Sequence, residues 1–110
     1  MPYDANPPPT ITAQATALQS LSHFADAHPD LPGAYVVSHS AFPKQVDVLL
    51  DGPADLETWR DALDIATNAL TLKHYDARRH LEFTTPIGTT LLRVYTVFPD
   101  TSTTPEGSQP

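Results

Sequence analysis

The chain of 110 residues contains no cysteine. That removes disulfides, thiolate zinc sites and cysteine nucleophiles together, and it fits a reducing compartment, so a cytoplasmic protein is expected. Glycine is scarce, at four residues. None of the four belongs to a Walker A loop, a G-x-G-x-x-G turn or a G-x-S-x-G elbow, so those routes to phosphate binding and acyl transfer have no motif here. No run approaches the roughly 18 apolar residues of a membrane-spanning helix, and no membrane association is expected. The start, Met1-Pro-Tyr-Asp4, lacks the basic and apolar regions of a secretory signal. Positive charge is also short. Six Lys and Arg face 13 Asp and Glu, for a formal charge of −7, which argues against generic attraction to nucleic acid.

Proline, by contrast, is abundant, with 12 residues. Pro2, Pro7, Pro8 and Pro9 fill a stretch with no apolar pattern, so residues 1–9 read as a disordered Pro-rich tail. Residues 100–110, rich in Thr, Ser and Pro, read as a second disordered tail. Between them, residues 10–99 form one expected domain, long enough to bury a core without staples.

The clearest pattern lies at the centre. Val46, Val48 and Leu50 alternate with Gln45, Asp47 and Leu49, the period of a half-buried strand. Asp51-Gly52 supplies a turn and Pro53 a first helical position. Leu56, Trp59, Leu63, Ala66 and Leu70 then make one apolar stripe, which predicts a helix ending near Ala69. Its single Trp, placed in that stripe, is read as a core anchor rather than a ligand platform. The carboxylates Glu57, Asp61 and Asp64 share its outer face and read as a solvated acidic face.

Around this centre, residues 11–28 predict a first helix capped by Thr10 or Thr12 and ended by Pro29. Residues 34–41 predict a strand joined to 45–50 by a hairpin. After the central helix, strands are predicted over 70–75, 78–85 and 89–98, with turns at Asp76-Ala77 and at Pro86-Ile87-Gly88. The fold class is therefore α+β, order αββαβββ, with a mostly antiparallel sheet of four or five strands and both helices on one face.

Charge is unevenly spread. Residues 1–72 carry a net −7, residues 73–98 a net +2 and the remainder −2. The basic part begins with Lys73-His-Tyr-Asp-Ala-Arg-Arg-His80, which sets cations and aromatics around an expected hairpin tip. A β-ribbon of this kind can enter a groove and stack on bases. The alternative is a hairpin whose arginines pair with the acidic helix face. The candidate binding residues are Lys73, His74, Tyr75, Arg78, Arg79, His80, Arg93 and Tyr95, with Glu82 beside them.

The five histidines, His23, His28, His39, His74 and His80, have no ligand spacing. His23 and His28 point about 140° apart on an ideal helix. No metal, cofactor or catalytic residue is assigned from the sequence.

Three features, Leu56-x-x-Trp59-Arg60-x-Ala62-Leu63, Phe24-Ala-Asp-Ala-His28-Pro-Asp-Leu-Pro32 and a closing strand ending in Phe98-Pro99, resemble small uncharacterised proteins of high-GC actinobacteria and their phages or mobile elements. The resemblance covers about residues 18–99 and implies no activity and no site residues.

The expected function is that of a small, non-catalytic binding or regulatory module acting through a protein partner. The contact surface would be the sheet face opposite the helices, or a homodimer would form through that face or through the edge of the last strand. A nucleic-acid-binding accessory protein using the basic hairpin is the second reading, and a metal-dependent enzyme the third.

Overall fold

The computed structural model describes residues 10–99; the two expected tails lie outside the described residues. Helix α1 (Ile11–Ala27) is followed by strands β1 (Tyr35–Ser38) and β2 (Gln45–Leu50). Helix α2 (Pro53–Ala62) and a 3₁₀ turn (Thr67–Ala69) come next. Strands β3 (Thr71–Tyr75), β4 (Arg78–Ile87) and β5 (Thr90–Pro99) complete the chain. The order αββαβββ and the α+β class are as the sequence predicts.

The strands form one five-stranded sheet in the order β1-β2-β5-β4-β3. Three of its pairings are antiparallel and one, β2 with β5, is parallel. The parallel pair brings Val46 beside Leu92 and Val48 beside Val94, across more than 40 residues of chain. Because β5 sits between β2 and β4, it has no free edge. Pairing of two copies through the edge of the last strand, one of the sequence expectations, is thereby overturned. The outer strands are β1 and β3.

Alternation sorts the side chains. Val46, Val48 and Leu50 of β2, Leu92 and Val94 of β5, and Phe83 of β4 point to the helices, where Ala17, Leu21, Leu56 and Trp59 close the core. Thr96 is buried on that face and donates its hydroxyl to the Leu50 carbonyl at 2.9 Å, which ties β5 to β2. Trp59 is 5% exposed; its Nε1 donates to the Pro32 carbonyl at 3.1 Å and its ring meets that of Phe24 at 5.9 Å. It therefore joins α2 to α1 and to the segment leading into β1.

Three local expectations need correction. Helix α2 stops at Ala62, not near Ala69. Asp64 takes a left-handed conformation at φ 57°, which no α-helix accommodates, and Arg60 Nη1 donates to the Ile65 carbonyl to hold the chain there. Leu63 still packs on the core, but Ala66 and Leu70 are not part of a helical stripe. Strand β1 ends at Ser38, so His39 lies beyond it. Strand β4 continues through Pro86 to Ile87, and the turn falls at Gly88-Thr89, with Gly88 at φ 62°. Pro86 is tolerated because β3 pairs with β4 only as far as Glu82, so among the described residues this half of β4 borders no strand on that side. Among the described residues, no helix is long and apolar enough to cross a membrane.

Candidate binding face

The helices cover one side of the sheet. On the other, the strands present Gln45, Asp47 and Leu49 from β2, Arg93 and Tyr95 from β5, His80 and Glu82 from β4, and Lys73 from β3, by the same alternation and register. Cross-strand neighbours on one face lie close enough to interact. Asp47 stands beside Arg93, and Arg93 lies one pair along from Glu82.

The result is a ladder of charge across the sheet. Arg93 is its middle rung. Its Nη1 reaches Asp47 Oδ2 at 3.3 Å, while Nη2 and Nε reach Glu82 Oε1 and Oε2 at 3.1 and 3.5 Å. Asp47 also accepts from Gln45 Nε2 at 2.9 Å and lies 3.0 Å from His39 Nε2. On the far side, Lys73 Nζ is 3.7 Å from Glu82 Oε1, and His80 Nε2 is 2.8 Å from the same oxygen. His80 Nε2 also lies 3.2 Å from Arg93 Nη2. Its tautomer selects between donating to Glu82 and accepting from Arg93.

Aromatic rings cap this ladder. The Arg93 guanidinium lies 4.3 Å from the centre of the Tyr95 ring, and His80 stacks on Tyr95 at 5.1 Å with only 6° between planes. Tyr75 meets His80 edge-on at 5.9 Å. A planar cation on an aromatic face gains more than its area of contact.

The electrostatics follow from this packing. Burial pushes the Asp47 carboxyl up, but hydrogen bonds from Gln45 and His39 and the charge of Arg93 outweigh it and hold the group below its ordinary value. Glu82 behaves alike: burial raises it, and the Arg93 hydrogen bond with the charges of Arg93, Lys73 and His80 lowers it further. Burial works against the charge of Arg93 too, yet its two carboxylate partners raise its affinity for the proton. Asp47 is 7% exposed although no protein layer covers it among the described residues. Its neighbours on the face bury it.

The structure brings Lys73, Tyr75, His80, Arg93 and Tyr95 together, and places Arg78 on the same face at its corner, opposite Tyr75. It does not bring in His74 and Arg79. They pair with each other in register and alternate to the helix side. The five histidines do not converge: His39 and His80 end at opposite carboxylates of the ladder, and His28 Nδ1 bonds the Phe24 carbonyl within α1. Among the described residues, no group of three or more His, Asp or Glu is placed to hold a metal. The acidic face of α2 is partly neutralised at home, because Glu57 pairs with Arg60 at 2.8 Å.

Sequence reasoning missed Asp47, Gln45 and the site role of His39. The available signal was Val46-Asp47-Val48, an acid in a strand whose alternate residues are core valines. It announces a carboxylate on the opposite face but not its partner, which comes from 46 residues away.

Two shallow depressions flank the ladder. One of about 450 Å³ is lined by Phe42, Lys44, Gln45 and Leu91, and one of about 420 Å³ by Arg78, Val97 and Phe98. Neither holds an acid and a base poised over a common centre. No family model, curated protein or solved structure matches the chain.

Proposed function

We propose that the protein is a small, non-catalytic binding module whose open sheet face receives a protein partner. One observation carries the reading: a pre-ordered Arg93, Tyr95 and His80 stack, locked by Asp47 and Glu82, stands on a sheet face that nothing covers among the described residues. Rigid Tyr and Arg surfaces lose little entropy on contact, and these residue types dominate binding energy at protein interfaces. Exposed apolar side chains, Tyr35, Val37, Tyr75 and Leu91, border the polar centre.

The charge of this face supports a protein over a nucleic acid. Arg93 and Lys73 are spent on Asp47 and Glu82, so the face is close to neutral rather than basic. Counterion release, the main source of phosphate affinity, needs cations that are not already paired. The basic hairpin of residues 73–79 remains the basis of the second reading. It requires a salt-sensitive shift of DNA in a binding gel that Arg78→Ala with Arg79→Ala abolishes. A cytoplasmic setting, and kinship with the actinobacterial and phage proteins it resembles, belong to the same proposal.

The test is a comparison of tagged full-length chains in extract of the native host. The wild type should retain a defined protein that Tyr95→Ala and Tyr75→Ala both release, with far-UV circular dichroism unchanged. Retention of the same proteins by all three chains would sink the reading.

A further inference from the structure

Among the described residues, β1 is an outer strand of the sheet with no strand beyond it, and its side chains differ from the rest of the surface. Tyr35, Val36 and Val37 are exposed at 68%, 45% and 45%, and they lie on both faces of one strand. Edge strands are ordinarily guarded against pairing with another chain by shortness, lysine, proline or a bulge, and of these β1, at four residues, has shortness. Tyr35-Val-Val-Ser38 has neither lysine nor proline, whereas β3, the outer strand on the other side, carries Lys73.

Helix α1 extends the same edge. Gln14 Nε2 donates to Ser38 Oγ at 2.9 Å, which fixes the flank of α1 that overlooks β1. Ile11 and Leu18 lie within about 60° of Gln14 around the helix axis, about 80° and 60° round from the core residue Leu21 and so on the flank of the buried face. Both are exposed, Ile11 at 75%. Exposed apolar side chains therefore stand on α1 and on both faces of β1, with the polar Gln14–Ser38 pair between the two elements.

Charge completes the argument. The chain holds 19 Asp, Glu, Lys and Arg, yet none falls in residues 10–25 or 31–43, the two segments that carry these side chains. Two copies at −7 repel one another over most of their surface. At this edge the two segments themselves carry no formal charge, and carboxylates come near at one end, where Asp51 and Asp55 lie beside Tyr35.

We infer that a second copy of this chain pairs with it along β1, antiparallel about a two-fold axis, to make one continuous sheet. Directly opposite residues in an antiparallel pair share a face. A register with Val36 against the partner's Val36 sets Tyr35 against the partner's Val37, an aromatic with a β-branched side chain, which is a favoured cross-strand pair. Ile11 and Leu18 of the two α1 helices then approach over the helix layer. The open faces of the two copies join into one surface twice as wide. This interface shares Tyr35 and Val37 with the border of the proposed partner face but not its Arg93, Tyr95 and His80 centre, and its test reads mass rather than retention of a partner.

The experiment uses the full chain. Light scattering after gel filtration should give a mass of twice 12.0 kDa that dissociates on dilution. Val36→Lys should give the single-chain mass with an unchanged far-UV spectrum, and Tyr75→Lys on β3 should remain a dimer. Since the chain has no cysteine, Val36→Cys supplies a lone thiol, and the expected register brings two such Cα atoms to about 4.5–5.5 Å, within disulfide reach. Mild oxidation should convert it to a covalent dimer, while Thr58→Cys on the exposed side of α2 should stay monomeric. A single-chain mass for the wild type at high concentration overturns the inference, as does a dimer that survives Val36→Lys. If Val36→Lys unfolds, cross-linking decides, and failure of Val36→Cys to couple overturns it.

Discussion

Two side chains show how differently one residue can be employed. Trp59 is the largest member of the core, and its indole N–H reaches outside the core to the Pro32 carbonyl. Truncating it removes both the packing against Phe24 and the tie to the segment before β1. Trp59→Ala should cost about 3–5 kcal/mol, the range for large aromatic truncations in a core. Trp59→Phe keeps a ring and loses the hydrogen bond, so its cost should be nearer about 1 kcal/mol plus a small packing loss. Urea unfolding followed by circular dichroism, which needs no tryptophan signal, measures both. Equal costs for the two variants would show that the ring Phe retains contributes nothing and that the loss lies in the hydrogen bond both variants lack. Arg93, by contrast, is held on a solvent face between Asp47 and Glu82, where its polar contacts arrange a surface rather than a core.

The elements show what a single chain announces and what it conceals. Strand β2 and the start of α2 were legible because alternation, Asp51-Gly52 and Pro53 all point the same way. The end of α2 was not. The apolar stripe carries on through Ala66 and Leu70, and the chain signals its break with Asp64 rather than with the glycine that usually occupies a left-handed position. The position of β5 was likewise hidden. Its strong β pattern is the same whether it lies at an edge or at the centre, and only β2–β5 pairing over a long loop decides. Asp47 and Arg93 meet through that pairing, so the middle of the candidate site was as illegible as the topology. The break at Asp64 yields a prediction. A non-glycine residue in the left-handed region is strained by roughly 1 kcal/mol, so Asp64→Gly should stabilise the fold by up to about that amount. In a domain of this size that raises Tm by about 4–8 °C. A scanning calorimetry trace with Tm unchanged or lowered would show that the Asp64 side chain contributes something the backbone argument omits.

At the scale of the whole molecule, the ladder links four strands through charge. His39 follows β1, Asp47 is on β2, Arg93 on β5, and His80 with Glu82 on β4, while Lys73 adds β3. A network of this reach makes the stability of the sheet depend on protonation of its carboxylates. Asp47 and Glu82 both titrate below their ordinary values of 3.8 and 4.5 in the folded chain. Around and below those values the unfolded chain therefore binds more protons than the folded one, and folding free energy falls as the pH falls. Above about pH 5 the contribution is complete. Glu57 is also lowered, by its hydrogen bond to Arg60, but that pair lies at the surface and is screened. Glu82→Gln should consequently be less stable than the wild type at neutral pH, where it lacks the charge that Arg93 and Lys73 face. The two chains should converge in stability as the pH drops through 4.5 and below, because the wild type then loses what the variant never had. Urea midpoints measured from pH 7 to pH 3 follow both chains. A gap that stays constant across that range would mean that Glu82 contributes packing alone and that the ladder is not held by its charges.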